Sequence, residues 1–127
     1  MVCSVRVDRH HETLLPSVKA GKNAFSEWPL GANLKEAKEL ADAAKKTGAK
    51  TVVGLQGHVS PHIQKIKEII QSGRIGKVLS TTWTGNAGNF GYEPTPSSIG
   101  YYFVDKKFGG NLLTIHTAHS KSNISCS

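Results

Sequence analysis

The chain has 127 residues, of which 38% are hydrophobic, and its formal net charge is +7. This length is typical of one domain with a modest core, and no stretch is apolar for long enough to form a transmembrane helix. The basic residues are dispersed and do not alternate with aromatic side chains, which argues against direct nucleic-acid binding.

The cysteines and the first residues indicate where the protein works. Cys3 and Cys126 lie near the two ends without metal-type spacing, so we expect free thiols in a reducing compartment. The first residues are interrupted by charges and do not resemble a signal peptide. We therefore expect a protein of the cytoplasm or the nucleus.

The first half of the chain alternates strand and helix patterns. Short β-branched runs predict strands, and apolar residues at helical spacing predict helices. Asp8 is the expected N-cap of the first helix, and Asn33 with Glu36 predicts a capping box at the second. The expected order is strand 1–7, helix 8–21, strand 23–26, helix 33–48 and strand 50–55. Short connections between these elements predict a parallel sheet, so residues 1–57 are expected to be half of a doubly wound α/β fold.

The second half is less regular. Ser60 and Pro61 predict the start of a helix that ends at Gly73. We further expect a half-exposed strand over 77–84 and a long loop over 85–98. Two short helical pieces are expected over 101–105 and 110–119, and a disordered tail over 121–127.

The turn Glu27-Trp28-Pro29 joins the second predicted strand to the helix that follows. The proline fixes its own φ and favours an extended Trp28. Open parallel sheets bind their ligands where strands end in such turns. This turn is therefore the candidate site.

Several motifs together resemble the Gfo/Idh/MocA family (glucose–fructose oxidoreductase/inositol dehydrogenase), and within it the fungal branch that includes the galactose-regulon repressor. The resemblance covers nearly the whole chain, and its motifs are residues 5–10, 27–29, 55–61, 73–76 and 109–110 with His119. It implies a partial dinucleotide-binding domain over 1–57, then the start of a C-terminal α/β domain with an open sheet over 58–120. No two glycines stand two positions apart, so the G-x-G-x-x-G fingerprint is absent and we expect a chain truncated at both ends.

The family implies hydride transfer between a nicotinamide and a sugar or polyol, with a lysine in the turn Glu-Lys-Pro as the acid/base. Here Trp28 stands at the lysine position, and an indole N–H cannot accept a proton. The family's later aspartate falls at about Thr114. His119 matches a family histidine and is left as a lone catalytic candidate; the alternative is a polar residue with no role in chemistry.

The resemblance also implies that His10, Glu27, Trp28 and Pro29 bind NAD or NADP, with Glu27 beside the nicotinamide ribose. Two alternatives stay open from the residues alone: Glu27 caps the following helix, and His10 with His11 lies in the first turn of an exposed helix. His58 stands where the family often has arginine. The pairs His58/His62 and His116/His119 lack a third ligand at familiar spacing, so we expect no metal site.

Three functions remain open from the sequence. The chain is an NAD(P)-dependent oxidoreductase-family protein with impaired catalysis, a non-catalytic dinucleotide-sensing regulator with a transcriptional activator as partner, or an inactive remnant. A homodimer through the C-terminal sheet is implied by the family. Half a parallel sheet leaves an apolar face uncovered, so the chain is also expected to self-associate or to depend on a partner.

Overall fold

The computed structural model describes residues 1–85, 103 and 105–120. Three strands alternate with two helices and are followed by a third helix. Their bounds are β1 Val2–Cys3, α1 His10–Lys19, β2 Ala24–Glu27, α2 Leu34–Thr47, β3 Thr51–Gly54 and α3 Pro61–Gln71. Single-turn 3₁₀ helices lie at Val7–Arg9, Gln56–Val59 and Lys106–Phe108, and a π-helix spans Leu113–Thr117.

The three strands form a parallel sheet in the order β1-β2-β3. Helices α1 and α2 cover one face and enclose a core of Cys3, Leu14, Val18, Ala24, Leu40 and Ala44. The predicted α/β class and parallel pairing are confirmed. Cys3 is buried as a free thiol, and burial raises the pKa of this thiol.

The opposite face of the sheet is open among the described residues. Val2 pairs with Phe25, and Phe25 pairs with Val52, so the three side chains form one row across the sheet. Their exposed fractions are 72%, 38% and 59%. This row is the uncovered apolar face expected from the sequence.

The start of the chain differs from its prediction. Strand β1 is only two residues long, and α1 begins at His10 with Arg9 as N-cap. Asp8 does not cap the helix; it lies in the preceding 3₁₀ turn, where its carboxylate accepts two hydrogen bonds from Arg6. In the Arg6–Asp8 pair both partners are charged and two bonds form, whereas at a cap the same carboxylate would meet uncharged amides, which explains why it turns towards Arg6.

Helix α2 begins as predicted. The Asn33 side chain accepts a hydrogen bond from the Glu36 amide at 3.0 Å, and the Glu36 carboxylate accepts one from the Ala32 amide at 2.8 Å. The reciprocal bond therefore reaches Ala32, one residue before the position in the standard capping box. The helix ends at Gly48, whose φ of 70° is left-handed.

The Asn33 cap gives the first testable expectation. Asn33→Ala removes the acceptor of the Glu36 amide and should lower the free energy of unfolding by about 1 kcal/mol. Chemical denaturation followed by circular dichroism measures this change. The control is Lys35→Ala on the exposed side of the same helix; an equal loss in both variants would contradict the capping role.

The second half agrees only in part. Helix α3 starts with Ser60 as N-cap and Pro61 as its first residue, although the Ser60 side chain makes no capping bond. The predicted strand over 77–84 is wrong: the structure has no strand there, and these residues pair with none of the described strands. A strand needs a neighbour for its backbone hydrogen bonds. The loop predicted beyond 85, the helical piece at 101–105 and the tail lie wholly or mostly outside the described residues.

Within the described ranges, no helix combines the length and apolar character needed to cross a membrane.

Candidate functional site

The carboxyl ends of the three parallel strands lie on the same edge of the sheet. The Arg6–Asp8 pair follows β1, the turn Trp28-Pro29 follows β2, and a 3₁₀ turn follows β3. Ligands of open α/β sheets bind at this edge. The structure therefore places the candidate turn where a ligand site is expected.

His10 contacts the turn through the Pro29 carbonyl group. It is 1% exposed, its Nδ1 lies 2.7 Å from the Pro29 carbonyl oxygen, and its Nε2 lies 2.8 Å from that of Val5. The alternative expected His10 in the first turn of an exposed helix; His10 does begin α1, but it is buried and not exposed. Both ring nitrogens are engaged within the protein, so His10 connects the end of β1 to the turn after β2.

Glu27 is the last residue of β2 and is exposed. It does not cap α2, because Asn33 and Glu36 supply that cap. The Trp28–Pro29 peptide bond is cis, Pro29 is buried and Trp28 is half-buried. The turn thus presents a carboxylate to the surface beside a partly covered indole.

Trp28 and Thr114 meet although they are 86 positions apart. The indole Nε1–H donates a hydrogen bond to the Thr114 carbonyl oxygen at 2.6 Å. These are the two positions at which the family resemblance expects a lysine and an aspartate. The structure brings both positions together, and neither side chain can exchange a proton near neutral pH.

The two histidines of the last segment are also half-buried. The His116 ring packs at a tilt of 51° on the Trp83 ring, with 5.4 Å between their centroids. His119 follows in the helical turn that continues the π-helix. The catalytic role of His119 stays a prediction.

Two features of the edge were missed from the sequence. Ser26 is 3% exposed, and its Oγ lies 3.5 Å from His10 Nδ1. His58 has a buried Nε2 without a hydrogen-bond partner among the described residues. Hydrophobic periodicity predicts neither feature, because the burial of a single polar side chain at the end of a strand leaves no local signal in the sequence. No group of three or more His, Cys, Asp or Glu residues in the described ranges could hold a metal ion.

The Arg6–Asp8 ion pair makes the free energy of unfolding depend on pH. Hydrogen bonding from Arg6 lowers the pKa of the Asp8 carboxyl below its ordinary value. A lowered folded-state pKa stabilises the protein above the unfolded-state value of about 4, and this contribution is lost as the pH falls through the folded-state value.

Asp8→Asn should therefore cost about 1 kcal/mol of stability near neutral pH and markedly less at about pH 3. Urea denaturation at the two pH values measures this difference. Asp42→Asn, at an exposed carboxylate of α2, is the control. A cost for Asp8→Asn that is the same at both pH values would contradict the assignment.

A parallel sheet with a helix-feeding turn at its carboxyl edge is the architecture of doubly wound α/β proteins, which include the dinucleotide-binding folds. Comparison with known proteins is in agreement. Residues 1–55 match the family described as an oxidoreductase family with an NAD-binding Rossmann fold, and residues 61–125 match the C-terminal domain of Gal80p. The chain therefore belongs to the Gfo/Idh/MocA oxidoreductase family, in its Gal80p-like branch.

Its relatives include both a regulator and a dehydrogenase. The galactose/lactose metabolism regulatory protein GAL80 of Saccharomyces cerevisiae is 33% identical over 126 residues, which cover 94% of this chain and 29% of that protein. The dehydrogenase aclE of Aspergillus oryzae is 34% identical over 119 residues, covering 94% of this chain and 32% of that protein.

A solved structure shows the same fold. The crystal structure of a super-repressor mutant of Gal80p from Saccharomyces cerevisiae has a TM-score of 0.86 and 32% identity, over 97% of this chain and 33% of that chain. The present chain thus spans about a third of the length of the relatives described here.

Proposed function

We propose that this chain supplies the dinucleotide-facing turn of a non-catalytic, regulatory member of the oxidoreductase family. The observation that carries the proposal is the hydrogen bond from the Trp28 indole to the Thr114 carbonyl. An indole that already donates its one N–H to a backbone carbonyl neither accepts nor supplies a proton. The residue at the position of the family lysine is thus suited to binding and not to acid/base chemistry.

Hydride transfer to or from a sugar carbon requires that a proton leave or join the hydroxyl on that carbon. Neither Trp28 nor Thr114 exchanges protons near neutral pH. Binding of the dinucleotide does not require a proton-transfer group. A protein that loses the proton-transfer groups keeps recognition and loses turnover.

The exposed Glu27 carboxylate fits a dinucleotide at the ribose. Carboxylates at this edge of parallel sheets accept hydrogen bonds from ribose hydroxyls. Trp28 and Pro29 continue the turn, and His10 holds it by the Pro29 carbonyl. The family resemblance places Glu27 beside the nicotinamide ribose, and its position at the end of β2 is compatible with that role. NAD and NADP are both consistent with this arrangement.

The division of the chain belongs to the same proposal. Residues 1–57 act as part of a dinucleotide-binding domain, and residues 58–120 begin a C-terminal domain. The two family matches, which meet between 55 and 61, support this division. The relative named as a galactose/lactose regulatory protein supports a transcriptional activator as the partner, in the cytoplasm or the nucleus. A homodimer through the C-terminal sheet completes the proposal.

A second function is favoured by the 34% identity with the dehydrogenase aclE. It is an NAD(P)-dependent oxidoreductase with impaired turnover, in which His119 is the lone acid/base.

One experiment separates the two functions. The purified chain is incubated with NAD or NADP and a panel of sugars and polyols, while formation of the reduced cofactor is followed. We expect no formation above that of a Trp28→Ala variant. In parallel, pull-down of a transcriptional activator should change when dinucleotide is added. Turnover that disappears in His119→Ala would contradict the regulatory function and support the enzyme.

A further inference from the structure

Two independent contacts join the turn after β2 to the segment 109–117. The first is the hydrogen bond from Trp28 Nε1 to the Thr114 carbonyl oxygen at 2.6 Å. The second is close backbone packing of Gly109 on Ala32: a Cβ at position 109 would stand 2.7 Å from the Ala32 carbonyl carbon and closer still to its Cα and carbonyl oxygen. The segment therefore rests on the turn at both ends of the stretch 109–114.

The segment is itself rigidly built around Thr114. The Thr114 hydroxyl donates to the Gly109 carbonyl at 2.8 Å and accepts from the Asn111 amide at 3.0 Å. The Asn111 carboxamide oxygen in turn accepts from the amides of Leu113 and Thr114, each at 2.9 Å. The π-helix grows from this turn, with a bond from the Thr117 amide to the Leu112 carbonyl. Holding the Thr114 carbonyl thus holds the whole segment.

The turn is anchored on its other side to the sheet. His10 joins the Pro29 carbonyl to the Val5 carbonyl at the end of β1. A continuous series of polar contacts and covalent links therefore runs from the end of β1 through His10, Pro29 and Trp28 to Thr114. Its middle is the edge at which we have proposed that a dinucleotide binds.

We propose that Trp28 is a positioning residue: its hydrogen bond fastens the segment 109–117 to the carboxyl edge of the sheet, which is its fastening role. A dinucleotide that binds at Glu27–Pro29 then makes this segment more ordered, which is its reporting role. The reporting part rests on the proposed function. A ligand shifts an equilibrium towards the state that it binds more tightly. Dinucleotide binding to the docked turn therefore stabilises the docked segment.

The test is amide hydrogen exchange of the full chain, read by mass spectrometry over 109–117, with calorimetry of dinucleotide binding on the same samples. The variant is Trp28→Phe, which keeps an aromatic ring and loses the N–H donor. Trp83→Phe is the matched control, because it removes the other indole and keeps a ring against His116.

Without ligand, Trp28→Phe should exchange about tenfold faster over 109–117 than the unchanged chain, while Trp83→Phe exchanges at the original rate. NAD or NADP should slow exchange of this segment in the unchanged chain and in Trp83→Phe, but not in Trp28→Phe.

Equal ligand-free exchange in Trp28→Phe and the unchanged chain would overturn the fastening role. Dinucleotide binding that leaves exchange of 109–117 unchanged would overturn the reporting role alone. Absence of any dinucleotide binding would overturn the proposed function and the reporting role together, while the ligand-free comparison would still decide whether Trp28 fastens the segment.

Discussion

Replacing His10 with alanine is expected to lower the free energy of unfolding by about 3 kcal/mol or more. The imidazole is 1% exposed and faces the carbonyl oxygens of Val5 and Pro29. Truncation removes the ring that lies against both carbonyl oxygens, so that the carbonyl which accepted the ring N–H loses its donor, and it opens a cavity between α1 and β2. A buried polar group that loses its partner costs its full desolvation free energy, and the cavity adds to that cost.

The neighbouring histidine is a matched control for this variant. His11 is half-buried, and its Nε2 lies 3.0 Å from a Glu39 carboxylate oxygen that is itself largely exposed. His11→Ala should therefore cost about 0.5 kcal/mol or less. Urea denaturation of both variants measures the difference. Similar costs at the two positions would show that His10 does not hold the turn.

Replacing Gly109 with alanine should release the segment 109–117 from the turn. Gly109 has φ +74°, which a side chain disfavours by about 1 kcal/mol. Its added Cβ would also collide with the backbone of Ala32, which cannot move aside as a flexible side chain would. We expect a total cost of about 3 kcal/mol, or undocking of the segment if undocking costs less.

The Trp28 indole N–H reports this undocking. In a proton–nitrogen NMR spectrum the chain has two indole signals, one for each tryptophan. In Gly109→Ala, the Trp28 signal should move to the position of a water-exposed indole. Gly48→Ala is the control, because Gly48 has a similar φ of +70° and its added Cβ would meet no atom within 4 Å. A Trp28 signal that stays in place in Gly109→Ala would contradict the docking.

Local sequence signals predicted the first half of the fold well. The Asn33–Glu36 pair marked the start of α2, Gly48 marked its end, and the strand–helix alternation predicted parallel pairing. Each of these features depends on residues within a few positions of one another. The strand over 77–84 failed for the opposite reason: alternation of apolar and polar residues says nothing about whether a neighbouring strand is present to pair with.

The sequence predicted where the candidate turn lies in the fold, but it did not predict which residues contact the turn. A strand that ends in Glu-Trp-Pro pointed to the carboxyl edge of the sheet, and the structure places the turn there. The bond from Trp28 to Thr114 joins positions 86 apart, and the bond from His10 to Pro29 joins positions 19 apart. No periodicity or cap signals such pairs, and the sequence around His10 is equally compatible with an exposed first turn of a helix, whereas the structure buries its ring.

The most direct test of the account is calorimetric titration of the full chain with NAD and NADP, each in oxidised and reduced form. We expect saturable binding of at least one dinucleotide, weakened about tenfold in Glu27→Gln, which removes the charge that fits the ribose hydroxyls. We also expect no hydride transfer to sugars or polyols to accompany the binding. The absence of saturable binding in the folded chain would contradict the account, and so would binding accompanied by turnover.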